Sequence, residues 1–211
     1  MNLRLSVLGK QVFSITLFAT ALMMCQPPAR ATLPVTVGGP FALMAPDGTA
    51  VTDQTYRGKW LLVYFGYTSC PDTCPTTLIE IAAVLRKLGP DAAKLQPIFI
   101  TIDPQRDIPE VMGKYTQSFD PRIIGLTGNP QQIDTVTQEY GVYFVPHQTG
   151  PGTQDYVMDH SIYLYLMDPQ GKFARAFDTD WSADRIAATL RELMAQFREE
   201  GPGGLTEQMR R

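Results

Sequence analysis

Apolar residues change period along this chain, and the changes mark its elements. Residues 60–67 (WLLVYFGY) are almost unbroken apolar and aromatic positions, the signature of a strand buried on both faces. Over 76–88 the period lengthens: Leu78, Ile81, Ala82, Leu85 and Leu88 share one helical stripe that stops at Gly89-Pro90. Residues 96–102 (QPIFITI) return to a buried strand. The pattern then predicts a helix over 108–119, a strand over 123–126, a helix over 130–140 stopped by Gly141, and a short strand over 142–145. Past a Gly- and Pro-rich loop at 149–152, residues 161–167 and 172–177 flank Asp168-Pro169-Gln170-Gly171 as a hairpin. Residues 182–198 then form an amphipathic helix with Ser182 as N-cap. Ahead of all these, stretches broken by Gly38-Gly39-Pro40 and Pro46-Asp47-Gly48 predict a small hairpin over 32–59 that caps the sheet. Strands alternating with helices, then an antiparallel hairpin and a last helix, predict an α/β fold with a mixed central sheet flanked by helices.

The first segment follows a different logic. Residues 1–11 carry Arg4 and Lys10 and no acid, and the fourteen residues 12–25 are uncharged, the pattern of a secretory n-region and h-region. As a helix they rise about 21 Å, short of the ~30 Å hydrocarbon core, which favours cleavage over a retained membrane anchor. Ala29-Arg30-Ala31 supplies a small-x-small cleavage pattern. Cutting after Ala31 removes Arg4, Lys10 and Arg30 and no acid, so the net charge of −3 becomes −3 − 3 = −6. Cys25 leaves lipidation as a third route, although Met24 is bulky for a lipoprotein box. All three routes place the body, 32–200, outside the cytoplasm, periplasmic or tethered to the membrane, and a polar tail occupies 201–211.

Composition narrows the function. With 211 residues, 44% apolar and 18% charged, the chain suits one globular domain. A net charge of −3 without Lys or Arg clusters excludes nucleic acid as an electrostatic partner. Three Cys and two His mean that any site built from them uses nearly all of them.

Cys70 and Cys74 fall where the first buried strand gives way to the first strong helix. Sites in open α/β sheets form beyond the carboxyl ends of strands, and a helix N-terminus favours thiolate. Both sulfurs are therefore expected to be partly exposed and easily ionised. Pro71 and Pro75 each suit a first helical position; Pro75 is the preferred one, which makes Cys74 the N-cap and 70–73 a loop. As a mere staple the pair would do little, because closing a five-residue loop contributes roughly 2 kcal/mol against nearly 5 for a hundred residues. Redox or metal chemistry is the stronger reading. His147 lies in the turn-rich Pro146-His147-Gln148-Thr149-Gly150 and reads as a solvated loop residue, whereas His160, just ahead of an apolar strand, is expected at the mouth of the sheet.

The strings Tyr64-Phe65-Gly66-Tyr67-Thr68-Ser69-Cys70-Pro71-Asp72-Thr73-Cys74-Pro75, Thr101-Ile102-Asp103-Pro104-Gln105-Arg106-Asp107 and Asp159-His160-Ser161 resemble the Sco/SenC family of copper chaperones. The resemblance spans about residues 41–197. It implies a thioredoxin-like fold and a copper site, Cu(I) or Cu(II), with Cys70, Cys74 and His160 as ligands. Asp159-His160-Ser161 stands where ordinary thioredoxins carry a cis-proline. Asp103 is expected near the site, either orienting ligands from behind or docking a partner, with a turn-forming Asp before Pro104 as the plain alternative. Asp72 reads either as a charge tuning the thiols or as a turn residue. The implied function is delivery of copper for assembly of the binuclear copper centre of cytochrome c oxidase, the oxidase subunit carrying that centre being the partner. Another copper donor or a thiol reductant is the further partner. The competing reading is a thiol-disulfide oxidoreductase using Cys70 and Cys74. Thiol peroxidase, a third class on this fold, is disfavoured by the paired Cys and the His.

Overall fold

The structure, a computed structural model, describes residues 37–200. The expected leader 1–31, Cys25 and the tail 201–211 lie outside those residues. Two short strands, β1 (Ala42–Met44) and β2 (Ala50–Thr52), form the leading hairpin. Backbone bonds between Met44 and Thr127 attach it beside the edge of the sheet.

Next come β3 (Trp60–Gly66), α1 (Thr73–Leu88), β4 (Leu95–Thr101), α2 (Pro109–Gln117), β5 (Ile124–Leu126) and α3 (Pro130–Tyr140). A two-stranded unit follows, β6 (Phe144–Gln148) and β7 (Tyr156–His160). The described residues end with β8 (Tyr163–Met167), β9 (Phe173–Asp178) and α4 (Ala183–Glu200).

The central sheet has the order β5-β4-β3-β8-β9, with β3, β4 and β5 parallel and β8 and β9 antiparallel. All seven residues of β3 and all seven of β4 are buried, which explains their unbroken apolar pattern: both faces are covered. Alternation along β3 sends Trp60 against Phe197 of α4 and Tyr64 against Phe99 of β4, whose ring meets Tyr115 of α2. The opposite face sends Phe65 against Tyr140 of α3.

Two expectations change. α1 begins at Thr73, with Asp72 in the N-cap position, so Cys74 is the second helical residue and Pro75 the third. The first four helical N–H groups have no intrahelical acceptor, so proline at the third position forfeits no bond, and the residue whose carbonyl its ring would crowd lies outside the helix. Thr76 N–H closes the first turn on the Asp72 carbonyl at 3.2 Å. The second change is β6–β7: a short strand and a loop were expected there, and a hairpin forms, pairing Phe144 with His160 and His147 with Val157. It shares no ladder with the central sheet. Among the described residues no helix is long and apolar enough to cross a membrane.

Candidate metal centre

β3 ends at Gly66, and a short turn carries the chain into α1, so the carboxyl edge of the sheet and a helix N-terminus meet at the two cysteines. Cys70 is half-buried and its Sγ accepts the Cys74 backbone N–H at 3.4 Å. Cys74 is wholly buried at 0% exposure, contrary to the expectation that both sulfurs reach solvent. The cause is the helix start: at the second helical position Cys74 turns inward beneath β3. Gly66 makes room for it, since a Cβ there would stand 2.7 Å from Cys74 Sγ and 2.8 Å from the Phe99 ring.

His160 closes the group from the other side. Its Nε2 lies 3.7 Å from Cys74 Sγ, across 86 positions of sequence. Nδ1 lies 2.8 Å from the Ser161 carbonyl oxygen. A carbonyl only accepts, so Nδ1 carries a proton, and in the neutral tautomer that this selects the lone pair of Nε2 faces the sulfurs. The rings of Tyr64 and Tyr67 flank it at 6.5 and 6.1 Å. The two Sγ atoms and one imidazole nitrogen all lie within 4.8 Å of one another and could hold a metal ion; among the described residues no further His, Cys, Asp or Glu joins them. A cleft of about 260 Å³, lined by Tyr67, Cys70, Asp72, His160 and Ile162, opens the group to solvent.

The two sulfurs are unequal. The Cys70 thiol is pushed well down, first by the hydrogen bond from the Cys74 thiol, with the N–H groups of Cys74 and Asp72 adding to it against burial. The Cys74 thiol is pushed up, first because it donates a hydrogen bond to Cys70 and then by burial. The helix N-terminus therefore serves one thiolate, at Cys70.

Other residues singled out from sequence take different places. Asp72 is exposed on the cleft, and its side chain makes no cap bond. Asp103, 4% exposed, directs its carboxylate to Arg106 Nε and to the Tyr156 hydroxyl, the latter at 2.8 Å. His147 is a strand residue of β6 whose exposed ring pairs with Asp159 at 2.9 Å.

Three supports escaped the sequence reading. Asp107 is fully buried and accepts from Thr68 N–H at 3.0 Å, Thr68 Oγ1 at 2.5 Å and Thr101 Oγ1 at 2.6 Å, tying the thiol loop to the end of β4. Arg106 and Tyr156 stack, with the guanidinium carbon 3.7 Å from the ring centroid. Tyr67 Oη accepts the Met158 N–H at 3.1 Å, linking the thiol loop to β7. The charged pair Arg106 and Asp107, three and four positions after Asp103, was the available signal; nothing in the pattern singled out Tyr156.

A dithiol on a helix N-terminus, completed by an imidazole at the carboxyl edge of a mixed sheet, defines a thioredoxin-like protein with a metal-competent site. The SCO1/SenC family model matches residues 29–195, and the chain belongs to that family. It is 42% identical over 164 residues to Protein SCO2 homolog, mitochondrial, of Homo sapiens, covering 76% of this chain and 60% of that protein. It is 38% identical over 164 residues to Protein SCO1 homolog 1, mitochondrial, of Arabidopsis thaliana, covering 77% and 48%. The chain thus spans about half to three-fifths of the length of these curated relatives. Among solved structures it is similar to Bradyrhizobium japonicum ScoI with copper bound, at 47% identity and a TM-score of 0.69, covering 74% of this chain and 98% of that one.

Proposed function

We propose that this protein carries copper on Cys70, Cys74 and His160 and supplies it, outside the cytoplasm, for assembly of the binuclear copper centre of cytochrome c oxidase. The observation that carries the reading is the gathering of two sulfurs and one imidazole nitrogen within 4.8 Å beside an open cleft. Thiolates are soft donors that select Cu(I), and an imidazole extends the set to Cu(II). A closed structural zinc site uses four protein ligands, and this group offers three. An incoming ligand from the oxidase subunit can therefore reach the metal before the old ligands leave. The copper-bound ScoI relative and the mitochondrial SCO homologues support cargo and setting, and the charge pattern of residues 1–31 supports export.

The inequality of the two sulfurs favours a second reading, a thiol-disulfide oxidoreductase. Cys70 thiolate attacks an acceptor disulfide, forming a mixed disulfide and releasing one acceptor thiolate. Cys74, on losing its proton, attacks Cys70 Sγ, forming the Cys70–Cys74 disulfide and releasing the second thiolate. The acceptor gains two electrons and this protein loses them, to be restored by a thiol reductant.

Copper titration of the reduced protein, with metal counting and absorption spectroscopy, tests the first reading. One equivalent bound by the wild type and lost in Cys70→Ser, Cys74→Ser and His160→Ala supports it. Copper retained in full by His160→Ala overturns it, and dithiol exchange preserved in that variant then favours the second.

A further inference from the structure

We propose that Asp103, Arg106 and Tyr156 form a clasp whose task is to position His160 against the thiols; the inference rests on the copper-site reading above. The β6–β7 hairpin makes no backbone ladder with the central sheet. A cavity of about 360 Å³ lies beneath it, bounded by Phe144, Pro146 and Met158 of the hairpin and by Ile102 and Ile133 of the body. Packing is therefore incomplete under the element that delivers the imidazole, and discrete polar ties must set where it sits.

Those ties converge on one end of β7. Arg106 Nε donates to the Asp103 carboxylate, and Nη1 donates to the carbonyl oxygens of Tyr156 at 3.0 Å and Gln154 at 3.3 Å. The same guanidinium lies over the Tyr156 ring, whose hydroxyl returns to Asp103 Oδ1 at 2.8 Å. One planar cation thus grips ring, backbone and carboxylate together, a geometry that lysine cannot reproduce. Only 4% of the Asp103 side chain and 15% of the Arg106 side chain is exposed. A buried ion pair is weak evidence for stability and better suited to fixing one arrangement among several.

The consequence for the site follows from strand geometry. Tyr156, Met158 and His160 are spaced by two, so they project to the same face of β7. Tyr156 is held by the clasp at one end, the Met158 N–H is held by Tyr67 Oη in the middle, and His160 meets the sulfurs at the other end. Four residues of strand span about 13 Å. A small pivot at the clasp is carried along that lever to Nε2, while Cys70 and Cys74, on β3 and α1, stay where they are.

Arg106→Ala, Asp103→Asn and Tyr156→Phe test this alongside wild type and His160→Ala, each checked for folding by thermal melting. In the metal-free protein, NMR contacts between the His160 and Tyr67 rings report the imidazole position. In the Cu(II)-loaded protein, nitrogen hyperfine structure in the electron paramagnetic resonance spectrum reports its coordination. The reaction rate of the dithiol with a small aromatic disulfide reports the sulfurs. Arg106→Ala and Asp103→Asn are expected to lose the ring contacts, to bind copper about 10–100-fold more weakly with diminished nitrogen hyperfine structure, and to keep the wild-type dithiol rate. Tyr156→Phe, which removes one hydroxyl, is expected to fall between them and wild type, and it decides the matter if the other two do not fold. Ring contacts and copper affinity unchanged in the clasp variants, with nitrogen hyperfine structure lost in His160→Ala, would overturn the clasp and leave the copper site standing. Wild-type copper binding by His160→Ala would instead overturn the copper reading, and the metal-free ring contacts would still decide whether the clasp positions the hairpin.

Discussion

At Gly66 the side chain is absent because a sulfur occupies its place. Gly66→Ala sets a Cβ 2.7 Å from Cys74 Sγ and 2.8 Å from Phe99, and overpacking of this kind costs about 1–3 kcal/mol. Denaturant unfolding is expected to show that loss and copper titration a weakened site; wild-type values in both would mean that Cys74 and Phe99 move aside freely. Asp107 offers a pH test. Burial raises its carboxyl above the ordinary 3.8, against the opposing bonds from Thr101 and Thr68. A raised folded-state pKa means that the native state holds the proton more tightly than the unfolded chain. That contribution to stability is complete below pH 3.8 and is lost as pH rises through the folded value. Asp107→Asn stays neutral and can keep the contacts, with the Thr68 hydroxyl accepting from the new amide. Relative to this variant, the wild type is expected to lose stability as pH rises from 3.8 towards neutrality, measured by urea unfolding across that range. A difference that does not vary with pH would refute the burial effect.

Helix and strand ends decide what the elements can present. α4 starts on borrowed acceptors: Ser182 Oγ takes the Arg185 N–H at 3.4 Å, and Glu80 Oε2, from α1, takes the Ala183 N–H at 3.0 Å. Glu80→Ala removes a cap that also docks α4 on α1, and the expected loss is about 1 kcal/mol, read as a lowered midpoint in chemical denaturation with copper binding intact. An unchanged midpoint would mean that Ser182 and water suffice. The exposed pair of Lys87 with Asp184, although 2.6 Å long, is expected to add little, because water screens it and two long side chains must be ordered.

Across the whole molecule, the site joins units that no single element could supply: a loop and helix from the parallel half of the sheet, and a hairpin that stands outside it. Copper bound to the native state alone raises stability by mass action, about 2.7 kcal/mol when free copper is about 100 times Kd. Thermal unfolding of the reduced wild type is therefore expected to shift upward with copper, and His160→Ala or protein oxidised to the Cys70–Cys74 disulfide is not. An equal shift in His160→Ala would place the metal elsewhere. Oxidation abolishes the shift because the ligands must be thiolates, so a Cys70–Cys74 disulfide and copper bound to the two sulfurs exclude one another.

The legible part of the fold was the part written in period. β3 and β4 are covered on both faces and read as unbroken apolar runs, while α3, α4 and the β8–β9 hairpin carry one-sided patterns with caps or turns at their ends. β6 and β7 did not read as a pair, because Pro146 interrupts a short, half-exposed strand whose partner lies across a Gly- and Pro-rich loop. By itself the sequence determined the central sheet, the helices and, through the scarcity of Cys and His, the donors available to a metal. Tertiary structure alone decided which sulfur is buried, that Arg106 and Tyr156 stack, and that His160 reaches Cys74 across 86 positions. Periodicity records how each residue faces the core, whereas the meeting of distant side chains depends on how separately folded elements are set against one another.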